Sequence, residues 1–473
     1  MRLSVLLSAF LHTHPFASSM SATMADCNVT ALREEPEPKA MKFTYHPFPL
    51  DYGCRFVDAW MNDPSNDGTA MGTRCLLTAV CTFFVLGMMK KDISEVQDTL
   101  NAMPPECFQN LWFLSKGQAA GYYFKVICPL TQLPMEVRPE VAAKANSVGV
   151  KIEALTQGAS SDEHADQINN FVNEKTEGMI KKLVSFSDLE DSSSVMVAAE
   201  VLKRHWAYVF SEELTQENEP FHCLDGTKGT CHLMMHPEKR KMLPYMKLQT
   251  GGLVLLPTSE KKGGEQDTAW MALFLPNCED GDPTKSNLSD LRKGSKEIKD
   301  KMHDIIKLVH SERHWSLVCL KMPRIDAQTK EPADVTDLLC KNGFRSLFLP
   351  GAIAHGLATP MDNGSGEEEL VDMPQHAAKA LMASVVKVHE RGFEAAAAVA
   401  IICYRSCGAD TQPNVIMECN RPFAMHILKL PTRRGVGSET GADVTPPQFL
   451  YSMNVTNDQM LKDAKSALEL FGK

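Results

Sequence analysis

Residues 385–410 read VVKVHERGFEAAAAVAIICYRSCGAD, with four alanines at 395–398 set between two runs of strand character. Alanine is the strongest helix former, whereas VVKV (385–388) and VAIICY (399–404) are β-branched or aromatic and alternate as strands do. Four alanines are also too short a run to hold a helix by themselves. A helix-favouring but featureless segment inside a strand pattern has to be explained by the rest of the chain.

Around this segment the chain falls into blocks. Helical spacing is expected over 92–103 and over 162–184, the latter breaking at Gly178. Short apolar runs bounded by Pro or Gly predict strands at 194–202, 251–258, 270–276, 315–323 and 423–431. Blocks of helices and strands, without a repeated βαβ unit, point to an α+β fold rather than a doubly wound parallel sheet.

The composition is that of a globular protein: of 473 residues, 44% are hydrophobic and 23% charged. Net charge is -10, and since phosphate binding needs a basic face, no nucleic-acid partner is expected, although the totals leave room for a local basic patch. The mixed-sign stretch KEIKDKMHDIIKLVHSERH (296–314) reads as a solvated helix face. CLLTAVCTFFVLGMM (75–89) is too short to span a bilayer and reads as a buried helix, so no membrane partner is expected. Residues 1–19 combine Arg2, a short apolar run and small residues, the layout of a secretory signal peptide. Secretion is therefore expected, with a cytoplasmic protein as the alternative if translation starts at Met24. The sequons at Asn28, Asn287, Asn363 and Asn454 would then make it a glycoprotein.

Catalytic and metal motifs are absent. The chain has no GxSxG, HExxH, GxxxxGK[ST] or GxGxxG, and its 14 cysteines include no CxxC pair. His310 and His314 have the spacing of two ligands on one helical turn, but no third ligand is suggested nearby. No catalytic residue, metal or cofactor is assigned, and the chain is not read as an enzyme.

The pattern as a whole resembles the serpin (serine protease inhibitor) family from about residue 42 to 456. ERGFEAAAA (390–398) resembles the family's hinge, and MECNRPF (417–423) its C-terminal signature. INNFVNEKTEG (168–178) is similar to the helix that crosses the main sheet, and LKRHW (202–206) to the segment ending in the tryptophan at its top. FH (221–222), MM (234–235) and LKMPRI (320–325) recur in the family's order. The resemblance implies a single domain over 42–456 with three β-sheets, about nine helices and an exposed reactive-centre loop. It leaves 457–473 as a C-terminal helical extension, expected to pack on the protein's own surface.

By the same resemblance the protein is a monomeric bait for a trypsin-like serine protease. The loop is cut and then inserts as a strand into the main sheet. The reactive bond falls at Arg405–Ser406, since an acidic specificity pocket pairs with a guanidinium. The hinge comprises Glu390, Gly392, Phe393, Glu394, Ala395, Ala396, Ala397 and Ala398. Threaded as a strand, Phe393, Ala395, Ala397, Val399, Ile401 and Cys403 face the core, and the small side chains meet little resistance. Glu390 is expected to form a salt bridge with Arg324 beside Trp206 at the sheet top. The alternative is a non-inhibitory serpin, a carrier, chaperone or storage protein, whose loop is only a substrate.

Three features depart from the pattern. Phe393 stands where small residues are usual, and overpacking would slow insertion. Thr73, Arg74, Cys75, Leu76, Ala198 and Met382 replace a polar cluster and predict an apolar sheet-opening region. Cys403 and Cys407 bracket the reactive bond, and a disulfide between them would tie its two sides.

Overall fold

Helix α1 (Phe48–Met61) buries Leu50, Cys54, Val57 and Met61, which recur every three or four residues along one face. Helix α2 (Thr73–Val85) is apolar almost all round. Its threonines are accommodated because the Thr78 and Thr82 hydroxyls donate to the carbonyls four residues back, Arg74 O at 2.9 Å and Thr78 O at 2.7 Å. Helices α3 (Ser94–Ala102), α4 (Pro139–Ser147), α5 (Ser161–Lys175), α6 (Phe186–Leu189), α7 (Leu288–Asp300), α8 (Met302–Val309) and α9 (Thr336–Leu339) complete nine α-helices among the described residues.

The computed structural model describes residues 48–85, 93–102, 118–127, 132, 134–137, 139–190, 192–259, 269–282, 284–286, 288–329, 331–350, 352, 358–362, 369–370, 376–393, 415–431, 447–466 and 469–470. These lie within one unit, residues 43–473.

Helix α5 starts at a capping box between Ser160 and Glu163. It stops at Lys175, close to the break expected at Gly178, because Glu177 (φ 52°) and Gly178 (φ 82°) turn left-handed and the Gly178 N–H returns to Asn173 O at 2.8 Å. The mixed-charge stretch at 296–314 is half core: α7 and α8 bury Ile298, Met302, Ile305, Ile306 and Val309.

The strands of the first half are β1 (Met71–Gly72), β2 (Gln118–Phe124), β3 (Met135–Val137), β4 (Val150–Ala154), β5 (Ser194–Glu200) and β6 (Arg204–Trp206). There follow β7 (Ser211–His222), β8 (Lys228–Met235), β9 (Lys241–Leu243), β10 (Tyr245–Lys247), β11 (Gly251–Ser259) and β12 (Ala269–Pro276). The second half adds β13 (Ser316–Pro323), β14 (Ile325–Gln328), β15 (Ala333–Asp334), β16 (Ala358–Asp362), β17 (Glu369–Leu370) and β18 (Leu381–Met382). The last are β19 (Val385–His389), β20 (Gly392–Phe393), β21 (Val415–Glu418), β22 (Phe423–Lys429) and β23 (Gln448–Val455).

The longest hydrogen-bonded path runs β1-β23-β22-β12-β11-β6-β20-β19-β14, with β10 on β11. A second sheet runs β21-β13-β8-β7, with β9 on β13. Smaller ladders are β4-β2-β5, β17-β16-β3 and β15-β18. Strand β12 shows why two cores form. Trp270, Ala272 and Phe274 join one buried cluster, whereas Ala269, Met271 and Leu273 join the other, as the two-residue period of a strand requires.

Two expectations about the C-terminal region change. Residues 459–463 form turns rather than a continuous helix, because their backbone is tied to the sheet: Asp326 N donates to Met460 O at 2.8 Å. Met460, Leu461 and Ala464 are buried against the protein's own surface. Asn454 is only 2% exposed and its Nδ2 donates to Met61 O at 2.9 Å, so this sequon is not open to a glycan. Asn28, Asn287 and Asn363, and the signal at 1–19, lie outside the described residues.

Candidate functional site at the hinge and sheet opening

The hinge begins in the sheet. The chain leaves β19, turns at Glu390 and Arg391, and returns as β20, which pairs Val388 with Phe393 and His389 with Gly392. On its other edge β20 pairs Gly392 with His205 and Phe393 with Arg204. A two-residue strand therefore lies between β6 and β19. Gly392 is required there, since a Cβ would collide with the Arg204 backbone oxygen.

Trp206 holds this turn three ways. Its backbone N–H donates to Arg391 O at 3.1 Å, its indole Nε1 donates to His389 O at 2.9 Å, and its ring meets Phe393 edge-on at 5.6 Å. Phe210 N donates to Glu390 O at 3.0 Å, and the Phe210 ring stacks on His236 at 4.2 Å. Phe393 is 2% exposed. Phe393, where overpacking on insertion was expected, has its ring packed at a steep angle against that of Trp206.

Glu390 has no exposed surface. Its Oε1 accepts from Arg324 Nε at 2.6 Å and from Thr215 Oγ1 at 3.0 Å, and Arg324 Nη2 also lies 2.6 Å away. Beside it, burial pushes His389 down to about 4 despite the nearby Glu390 charge. Burial likewise takes His236 down to about 4. Trp206, Arg324, Glu390, Gly392 and Phe393 thus converge at one point. Glu394, Ala395, Ala396, Ala397, Ala398, Cys403, Arg405, Ser406 and Cys407 lie outside the described residues.

Below β20 the strand lines part. Strand β5 leads through 201–203 into β6 and pairs with β2 on one edge; among the described residues its other edge has no ladder. Between β5 and the line of β18 and β19 lies a cavity of about 100 Å³, bordered by Leu76, Ala79, Met196, Ala198, Met382 and Val386.

This opening is not wholly apolar, and that expectation is corrected. Arg74, 9% exposed, reaches from the first turn of α2 to Glu200 on β5, 6% exposed, with Nε 2.8 Å from Oε1. Thr73, Leu76 and Met382 are buried around it, and Ala198 is half-buried. Tyr451 donates its hydroxyl to Glu200 O at 3.3 Å, whereas Glu200 Oε2 has no hydrogen-bond partner. Burial, then the Glu200 charge, push the Cys75 thiol up to about 12. Glu200 was missed in the sequence; the available signal was a lone acid in one apolar run and a lone base in another.

Among the described residues no cluster of His, Cys, Asp and Glu could hold a metal ion. His310 Nε2 lies 2.8 Å from Pro431 O, which accounts for it structurally.

The sequence model of the family described as Serpin (serine protease inhibitor) matches residues 136–434. Antithrombin-III of Mus musculus is 28% identical over 291 residues, covering 60% of this chain and 54% of that protein. The chain thus spans about half the length of the curated relatives it matches. Serpin-12 of Manduca sexta matches with a TM-score of 0.63 and 18% identity, covering 88% of this chain and 99% of that one. Thyroxine-binding globulin in complex with thyroxine matches with a TM-score of 0.59 and 16% identity, covering 86% of this chain and 99% of that one. At these identities the two structures speak for the fold alone.

Proposed function

The chain belongs to the serpin family, and on that premise we propose that it is a suicide inhibitor of trypsin-like serine proteases with the bond between Arg405 and Ser406 as bait. The protease serine attacks the Arg405 carbonyl; an ester forms to Arg405, the amide bond breaks, and Ser406 leaves as a new amino terminus. The freed segment then enters the opening between β5 and β19 and carries the ester-linked enzyme with it.

The observation that supports this reading is β20: the strand that would grow is already two residues long and paired on both edges, and the free edge of β5 beyond it carries no ladder among the described residues. Small side chains at 395–398 suit that opening. The protein acts as a secreted monomer, its leader being residues 1–19.

A second reading is a serpin-fold carrier whose loop is only a substrate; thyroxine-binding globulin, solved in complex with thyroxine, has the same fold. Mixing the protein with trypsin and running a denaturing gel separates the two. A covalent complex that shifts the protease band supports inhibition; clean cleavage without a complex supports the carrier.

A further inference from the structure

Three arginines are buried among the described residues, and two of them face an acid: Arg74 pairs with Glu200, and Arg324 with Glu390. Arg421, 8% exposed in the turn between β21 and β22, has no carboxylate partner among the described residues. Its Nη1 donates to the neutral Pro276 O at 2.8 Å. Burial lowers its pKa from the usual arginine value, and the titratable groups that oppose this are the thiols of Cys278 and Cys419 rather than a carboxylate. A cation held out of water without a counterion is costly, so this position calls for an anion.

Arg421 borders a cavity of about 260 Å³ where β10, β11 and the end of β12 meet β21. Lys247 on β10 borders the same cavity, and its ammonium donates to Asn277 Oδ1 at 3.0 Å. The two cations are thus anchored on adjacent residues, Pro276 and Asn277, by neutral oxygens, and no Asp or Glu is among the described residues that border the cavity. Tyr245 adds a hydroxyl donor, and the missing side chain at Gly252 leaves room beside it, since a Cβ there would lie 3.1 Å from that oxygen. The remaining wall is apolar and includes Leu275, Val415 and Ile416, the last 73% exposed.

We propose that Arg421 and Lys247 form a binding site for a small organic carboxylate, a single-ring or short-chain acid whose apolar body lies against Leu275, Val415 and Ile416. A planar carboxylate matches the fork of the guanidinium, with the Lys247 ammonium as a second point charge. The volume lies a little under the range of about 300–1,000 Å³ that holds drug-sized ligands, which sets the size of the acid. A bare inorganic anion would satisfy the charge but leave the apolar wall against water. The site shares no bordering residue with the cavity at the sheet opening, so it is independent of loop insertion.

The test is calorimetric titration of the intact full chain with benzoate, and separately with benzamide and with inorganic phosphate. Benzoate should bind saturably. Benzamide keeps the ring without the charge and phosphate the charge without the ring, and each should bind about tenfold or more weakly. Lys247→Met should weaken benzoate binding about tenfold, and Arg421→Met should weaken it further. Lys247 is exposed, so its replacement leaves the fold in place and decides the question even if Arg421→Met does not fold. Absence of saturable benzoate binding, unchanged benzoate affinity in Lys247→Met, or benzamide or phosphate binding as tightly as benzoate would overturn the proposal.

Discussion

Glu390 is held as a carboxylate without exposed surface by two donors, Arg324 and Thr215. Removing one partner of such a pair strands the other in the interior, which costs about 3–5 kcal/mol, whereas removing both can be nearly neutral. Arg324→Met should therefore lower stability to denaturant by that amount, and Arg324→Met/Glu390→Met should recover most of it. Arg324→Glu, which opposes two acids, should release the turn and promote polymerisation on heating; an unchanged monomer by size exclusion contradicts this. Trp206, Arg324 and Glu390 were legible in the sequence because each sits in a string whose order the family repeats. Arg74 was placed at the opening, but its partner Glu200 was not, since 126 positions separate them and each is a single charge in an apolar run. Only the fold sets them side by side.

Among the elements, five apolar strands could be read from pattern alone, whereas β2, β7, β8 and β23 were not anticipated. The run expected at 251–258 is β11 at Gly251–Ser259, and that at 270–276 is β12 at Ala269–Pro276. Strands of two residues, such as β18 and β20, carry no periodicity; their neighbours define them, so no local signal could reveal them. The ion pair between α2 and β5 belongs to this scale, because it ties a helix to the strand that edges the opening. Glu200 is only half satisfied, and a buried pair of that kind adds little net stability. Arg74→Met alone should destabilise by about 3–5 kcal/mol, and Arg74→Met/Glu200→Met should melt at or above the wild-type temperature. A double variant as unstable as the single one would show that the pair is a main support of the opening.

At the scale of the whole molecule, three of the buried histidines, His236, His389 and His426, make stability respond to acid. Burial lowers His236 and His389 to about 4 and His426 to about 3, below the usual value near 6.5. The unfolded chain therefore binds protons first, and stability, intact above pH 6.5, falls as the pH drops toward 4. Each group contributes on the order of 2–3 kcal/mol across that window. Thermal unfolding at pH 7, 6, 5 and 4 should show midpoints declining from pH 6.5 downward; a flat profile to pH 4 contradicts it. Exposed carboxylates such as Glu163, held low by hydrogen bonds from Ser160, respond only in more acid solution.

The α+β class followed from the blocks of helices and strands, but the opening between β5 and β19 did not, since it is a ladder missing among the described residues rather than a residue pattern. That opening is what the proposed inhibition uses. The most direct test is to cut the protein once with trypsin, confirm by mass that the cut lies between Arg405 and Ser406, and compare heat unfolding before and after. Insertion of the freed segment as a new strand predicts a cut protein that unfolds at a markedly higher temperature than the intact one. A cut protein that unfolds at the same or a lower temperature would contradict the account.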